Sequence, residues 1–368
     1  MTEQHQQPEQ HQRVEPVETP IRAIDTRLLR IPLTRPWGPG VRDVGVVAVR
    51  VTTDDGVGHG FSWSPSIGAS AVEALIRDDL APHLLGRPAR TEEWQGMWER
   101  LHEAGGGGLT TIAIAGVDLA LWDLDCRRRG LALADRLGRR HDSQPAYGSG
   151  VNLHYPLDEL VAQAARWRHA GFGGVKVKVG KPDLAEDVDR IAAVRETIGP
   201  EVRLMVDANQ RWDLDRAVAG AEALSVLGID WLEEPLRSDD TRGYRALRSS
   251  VDVPIALGEN VHTIHRFRDL VDAEAVDVMQ PNVVRVGGIT PFLAIADLAR
   301  EAGITLAPHL LPELSAQLAF ALPEETWVED VEDAGFGALG ALLEPSGIEI
   351  DEGRATGGHA VGLGMRFW

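Results

Sequence analysis

Hydrophobic positions change their rhythm near residue 145. Before it, from Ile21 to about residue 58, they alternate: Ile24, Thr26 and Leu28 share one face, and VGVVAVRVTT runs into the turn Asp54, Asp55, Gly56. This is the pattern of a strand meander closed by a tight hairpin. Helical spacing follows over roughly 70–84, 91–103 and 110–127, the last after a glycine run with Thr110 or Thr111 placed to cap it. Residues 21–145 are therefore expected to form an α+β unit, with TRPWGPGVR (34–42) and FSWSPSIG (61–68) as surface loops. After residue 145, short apolar runs alternate with amphipathic helical stretches such as LAEDVDRIAAVRETIG. The runs are YGSGVNL (147–153), VKVKV (175–179), VRLMV (202–206), IDWL (229–232), PIAL (254–257), VDVM (276–279), ITLA (304–307) and TWVE (326–329). Eight strands separated by helices predict a parallel α/β barrel over 146–334, in preference to an open doubly wound sheet. The glycine-rich stretch 335–368 reads as a hairpin that returns to the first unit.

Composition narrows the picture. Residues 1–20 are polar and proline-punctuated and read as a disordered tail, with His5 and His11 solvated. A chain of 368 residues, 43% hydrophobic, can bury a large core. Lys and Arg number 37 against 56 Asp and Glu, a net charge of -19, which argues against a nucleic-acid partner and against binding to a membrane surface. The single cysteine, Cys126, excludes an intrachain disulfide framework and lies in a helical pattern as a buried small hydrophobe. Neither an 18-residue apolar run nor the apolar core of a signal peptide is present, so a soluble cytoplasmic protein is expected.

The chemistry concentrates at strand ends. Asp207, Glu233 and Glu259 each follow an apolar strand, and successive members are 26 residues apart, one strand-helix unit plus its loops. In a barrel such positions converge at the C-terminal mouth. Three carboxylates there repel one another unless a hard cation neutralises them, and all-oxygen ligation favours Mg²⁺. Lys176 and Lys178 share the inward face of VKVKV. Each is expected to depress the other's proton affinity, leaving Lys178, nearer the mouth, as general base and Lys176 as the cation that binds the substrate carboxylate. His309 ends ITLAPH as the second acid or base, and Glu329, if protonated, is placed to donate to a substrate oxygen. Asn209 and Asn260 stand beside the acidic residues as supports. The set suits removal of a proton from the carbon next to a carboxylate, a small-molecule substrate.

These motifs together resemble the enolase superfamily, specifically its mandelate racemase subgroup, from about Ile21 to Trp368. VKVKVG is similar to its Lys-x-Lys motif, and MVDANQ, WLEEP and ALGEN to its three metal-ligand segments, which marks Glu233 over Glu234. VRVGG and APHL match the next two strand ends. The resemblance implies a modified (β/α)7β barrel under an α+β capping domain completed by the C-terminal segment. It also implies a homo-oligomer, dimer or octamer, and makes Trp37, Arg42, Ser62 and Trp63, in the two loops, specificity candidates. One position departs: Asn282 stands where the subgroup usually pairs an Asp with the barrel histidine. That weakens a two-base racemase and favours lysine abstraction with histidine-assisted loss of a β-hydroxyl. By the same resemblance, Arg285 stands where cycloisomerases and dipeptide epimerases of the superfamily carry a catalytic lysine, and it argues against those relatives, because arginine is not a useful base at neutral pH. The resemblance is greatest to acid-sugar dehydratases, which convert aldonates or aldarates to 2-keto-3-deoxy acids. A racemase or epimerase of a 2-hydroxy acid is the alternative.

Overall fold

The computed structural model describes residues 19–368 apart from Pro39 and Ser66. All of the expected N-terminal tail but its last two residues, including His5 and His11, lies outside the described residues. Strands β1 (Ala23–Pro32), β2 (Asp43–Thr52) and β3 (Val57–Ser64) form an antiparallel sheet in that order. The last two join at the expected turn, where Thr53 donates its N–H to the Gly56 carbonyl at 2.9 Å and its hydroxyl to Asp55 at 2.6 Å.

Helices α1 (Ala69–Ala74) and α2 (Ala81–Leu84), linked by a π-helical stretch Leu75–Leu80, are followed by α3 (Glu93–Leu101) and α4 (Leu109–Arg129). Helix α4 is buried on nearly every side, between the sheet and the barrel. It approaches β3 so closely that a Cβ on Gly60 would stand 2.3 Å from the Gly116 carbonyl oxygen, contact that only glycine permits. The threonine cap is not formed. Gly108 takes the N-cap position without a side-chain bond, and Thr110 and Thr111 donate backwards to the carbonyls of Gly105 and Gly108.

After α5 (Leu133–Arg136) the chain enters the barrel. Its strands are β4 (Ser143–Ser149), β5 (Gly174–Lys178), β6 (Arg203–Asp207), β7 (Trp231–Glu233), β8 (Ile255–Leu257), β9 (Val278–Met279), β10 (Thr305–Leu306) and β11 (Val328–Val331). Between them run α6 (Leu157–His169), α7 (Leu184–Ile198), α8 (Leu214–Ser225), α9 (Thr241–Arg248), α10 (Ile264–Asp272), α11 (Ile289–Glu301) and α12 (Pro312–Ala321). Strands β4 to β10 are neighbours in sequence order and β11 pairs with β4, all parallel. The fold is the expected (β/α)7β barrel beneath an α+β cap.

Strand alternation separates two apolar regions. Val175, Val177, Leu204 and Val206 pack outward in the core shared with the helices, while Tyr147, Met205, Trp231, Ala256, Val278 and Ala307 plug the interior. Asp183, Asp213, Asp240 and Thr263 cap α7 to α10 with their side chains, which fixes the helix starts just past the strand ends. The C-terminal hairpin, β12 (Ile348–Asp351) and β13 (Arg354–Gly357), pairs antiparallel with β4 and so belongs to the barrel edge. The residues around it return to the cap: Phe336 and Phe367 pack on Phe61 with ring centroids 5.3 and 5.0 Å away, and Arg50 lies over the Trp368 ring at 4.4 Å. Among the described residues no helix is long and apolar enough to cross a membrane.

Candidate active site

Ladder register assembles the first part of the site. Lys178 pairs with Asp207, and Asp207 with Glu233, across β5, β6 and β7. Glu259 comes two residues after β8, beyond Gly258, whose φ of 145° and close approach to the Gln280 backbone exclude a side chain. Oxygens of Asp207, Glu233 and Glu259 lie within 4.8 Å of one another, and all three residues are buried. Burial and the neighbouring carboxylates push the Glu233 proton affinity well up, against the pull of Lys176. A crowded, buried, all-oxygen set of this kind fits a hard divalent cation. The adjacent Glu234 turns elsewhere: it accepts from Asn260 at 2.7 Å, and burial with Glu259 nearby raises its pKa to about 8.

The two lysines differ from expectation. Lys176 lies beneath the cavity, 1% exposed, with Nζ 2.7 Å from Glu233 and 2.8 Å from Glu329. It is an internal counter-ion of those two carboxylates and is not part of the cavity lining. Lys178 does line the cavity and ion-pairs with Asp207. Burial lowers its proton affinity, but Asp207 and Glu259 outweigh both burial and Lys176 and raise the pKa to about 12. Mutual depression of the lysines is therefore the weaker effect, because each amine meets carboxylates before it meets the other amine. Glu329 leans towards the ionised form: burial alone would raise its pKa, but Lys176 and His309 hold it at about 2.

His309 places Nε2 2.8 Å from Glu259 and its ring at the cavity wall. Its other nitrogen, Nδ1, is 3.1 Å from Nδ2 of Asn282. The Asn282 amide has one sensible orientation, since its Oδ1 accepts the N–H groups of Val284 and Arg285, both at 3.1 Å. Its NH₂ therefore faces His309, Nδ1 accepts, and Nε2 carries the ring proton towards a carboxylate.

The cavity, about 240 Å³, is bounded by Trp37, Trp63, Lys178, Asn209, Glu259, Arg285, His309 and Glu329 among others. Asn209 donates its N–H to Asp207 at 2.7 Å and its amide to Glu259 at 3.3 Å, and Asn260 donates to Glu259 at 2.8 Å. Trp37 and Trp63 meet edge to face, 6.2 Å apart. Two specificity candidates fall outside the cavity. Ser62 donates into the Ile112 carbonyl at 2.6 Å, and Arg42 is exposed and away from the lining. Strand alternation explains the first, because Ser62 and Trp63 face opposite sides of β3. Arg285, read from the sequence only as an argument against certain relatives and given no role in the site, lines the cavity and donates to Asn260. Its place where relatives carry a lysine, two residues before the Gly287–Gly288 turn, is the signal that points to the cavity wall. Five of the non-glycine residues with left-handed backbone, Asn209, Gln210, Glu234, Leu310 and Leu311, follow barrel strands at this mouth. Cys126 is buried in α4, its thiol pushed up to about 12 by burial, and takes no part.

Comparison with known proteins agrees with this geometry. Residues 23–138 match the mandelate racemase / muconate lactonizing enzyme N-terminal domain, and residues 159–367 match the enolase C-terminal domain-like family. The 3,6-anhydro-alpha-L-galactonate cycloisomerase of Streptomyces coelicolor is 37% identical over 335 residues, 89% of this chain and 92% of that protein. The L-talarate/galactarate dehydratase of Salmonella typhimurium is 37% identical over 332 residues, 88% of this chain and 80% of that one. The crystal structure of L-talarate dehydratase from Polaromonas sp. JS666, complexed with Mg and L-glucarate, superposes with a TM-score of 0.85 at 38% identity, covering 95% of each chain. A cycloisomerase stands among the similar proteins, so Arg285 does not separate this chain from cycloisomerases as a group. The chain belongs to the mandelate racemase and muconate lactonizing branch of the enolase superfamily, close to its acid-sugar dehydratases and cycloisomerases.

Proposed function

We propose that this protein is a Mg²⁺-dependent hydro-lyase that converts an acid sugar, an aldonate or aldarate, to a 2-keto-3-deoxy acid. One observation carries the reading: a buried carboxylate triad reaches the wall of a small cavity through Glu259, where the Lys178 amine and His309, with its Nε2–H, also border it. Asp207, Glu233 and Glu259 would hold the Mg²⁺, which would supply charge to polarise the substrate carboxylate and stabilise negative charge on its oxygens. With a cation held by Asp207 and Glu259, those carboxylates would no longer depend on Lys178 for counter-charge, and their hold on its proton would weaken. Lys178 then takes the α-proton. The electron pair forms the Cα–Cβ double bond as the Cβ–O bond breaks, and His309 delivers its Nε2 proton to the departing oxygen, which leaves as water. The enol product tautomerises to the 2-keto acid. Lys176 holds Glu233 and Glu329 in place as their shared ion-pair partner, Asn209 and Asn260 hold the triad, and Asn282 orients His309.

Racemisation or epimerisation of a 2-hydroxy acid is the second reading. The His309 tautomer counts against it, because a protonated Nε2 has no lone pair with which to abstract from the opposite face. The test is a Mg²⁺-dependent screen against a stereochemically complete set of aldonates and aldarates, reading 2-keto acid. A strong hit abolished by Lys178→Ala supports dehydration. Silence across the set with Mg²⁺ bound, together with α-proton exchange in D₂O on an acid lacking a β-oxygen, supports the second reading. The proposed setting is a cytoplasmic homo-oligomer, dimer or octamer, which sedimentation of the purified protein tests.

A further inference from the structure

The end of α4 and the C-terminal segment enclose a second cavity of about 200 Å³, bounded by Arg127, Glu344, Pro345, Val361 and Arg366 among others. It shares no lining residue with the cavity at the barrel mouth. Asp123, buried in α4, ties its two sides together. One of its oxygens accepts the Leu363 N–H at 2.8 Å, and the other accepts the His59 N–H at 2.8 Å and Nε of Arg127 at 2.6 Å. Three donors therefore share one carboxylate charge. Among the described residues, the terminal nitrogens of Arg127 meet no other acceptor. Arg366 forms no ion pair, and its Nε is buried without a hydrogen-bond partner. Glu344 is exposed and pairs with neither arginine. The surplus positive charge is felt by His59: burial lowers its proton affinity, and Arg127, Arg366 and Arg50 lower it further against the pull of Asp123. Arg50 has a partner of its own, Asp25 at 3.0 Å, so the uncompensated charge lies with Arg127 and Arg366.

We propose that this cavity binds a small oxyanion, the phosphate or carboxylate group of a soluble ligand, between Arg127 and Arg366, as a second site independent of the chemistry at the barrel mouth. A partly buried guanidinium without counter-charge is costly, and a buried donor without an acceptor adds to that cost. An oxyanion supplies the charge and the acceptors together, in the planar geometry that the guanidinium fork matches. The chain as a whole, at a net charge of -19, repels anions, so binding one requires a local concentration of cations such as this pair. Pro345, Ala360 and Val361 form an apolar rim against which the organic part of a phosphate ester or carboxylic acid packs. The bound anion bridges α4 of the cap to the C-terminal segment and reinforces the junction that Asp123 makes with Leu363.

Titration calorimetry of the full chain with inorganic phosphate and, separately, with acetate at constant ionic strength tests the proposal. Saturable binding is expected, with the same affinity in the presence and absence of Mg²⁺, and the tighter of the two ions names the headgroup. The melting temperature should rise with that ion and not with chloride at equal ionic strength. Arg366→Gln is expected to weaken binding about tenfold or more. Arg366→Lys, which keeps the charge and loses the fork, should weaken it less. Val361→Glu sets a like charge on the exposed rim without entering the core and should also weaken binding, so it decides the matter if the Arg366 variants fail to fold. Saturable binding of neither ion overturns the proposal. Binding that appears only with Mg²⁺, or that survives both Arg366→Gln and Val361→Glu unchanged, places the ion elsewhere and overturns it as well.

Discussion

The side-chain amide of Asn282 stands 3.1 Å from Nδ1 of His309 and, through two backbone N–H groups on its own oxygen, fixes the histidine with its proton on Nε2. Asn282→Asp keeps an acceptor for Val284 and Arg285 but replaces the facing NH₂ with a second oxygen. The proton is then expected on Nδ1, freeing the Nε2 lone pair. Wild-type enzyme should exchange the α-proton of only one C2 epimer in D₂O, whereas Asn282→Asp should gain exchange on the other. Proton NMR reads this directly, and identical exchange patterns in the two proteins would show that Asn282 does not set the tautomer.

The carboxylate triad makes stability depend on the cation. Mg²⁺ at about 100 times its Kd should stabilise the fold by about 2.7 kcal/mol, a gain that chelation removes and re-addition restores. Asp207→Asn should abolish most of that gain, since it deletes one ligand charge and the partner of Lys178. Thermal melts with EDTA and with Mg²⁺ provide the measurement. An equal gain in the variant would place the ion elsewhere.

Lys176 is the only cation within ion-pair reach of both Glu233 and Glu329 among the described residues. Lys176→Met leaves two buried carboxylates facing each other and should destabilise by about 3–5 kcal/mol in urea unfolding. Adding Glu329→Gln removes one of those charges and should restore part of the loss. If the double variant is no better than the single, the ion pair is not the source of the effect.

Cap and barrel meet at another buried acid. Asp118 of α4 accepts the hydroxyl and N–H of Thr290 in α11 at 2.6 and 3.1 Å, and burial raises its pKa from 3.8 to about 7. The folded chain therefore holds this proton more tightly than the unfolded chain. The favourable contribution is full below the unfolded value and falls as pH rises from about 4 to about 7, by about 4 kcal/mol in total. Asp118→Asn should flatten stability over that window and gain relative to wild type at pH 7–8. Urea midpoints at several pH values test it, and an unchanged slope would mean that Asp118 is ionised throughout.

Much of this was legible in the chain because period and position encode it. Alternation in VKVKV forces both lysines inward, and the recurring strand-helix unit carries Asp207, Glu233 and Glu259 to one mouth whatever the loops do. The fold class, the hairpin turn and the gathering of the triad follow from those local rules. Tertiary structure decided what each charged group meets. Sequence spacing says that Lys176 and Lys178 share a face, but only packing puts Glu233 and Glu329 on one amine and Asp207 on the other, which reverses the expected direction of the Lys178 pKa. The same holds for Ser62, turned into Ile112, for Arg285, brought to the cavity wall, and for the amide orientation of Asn282. Proton affinities and hydrogen-bond polarity depend on contacts between residues far apart in sequence, made over a few ångströms, and no pattern along the chain carries that information.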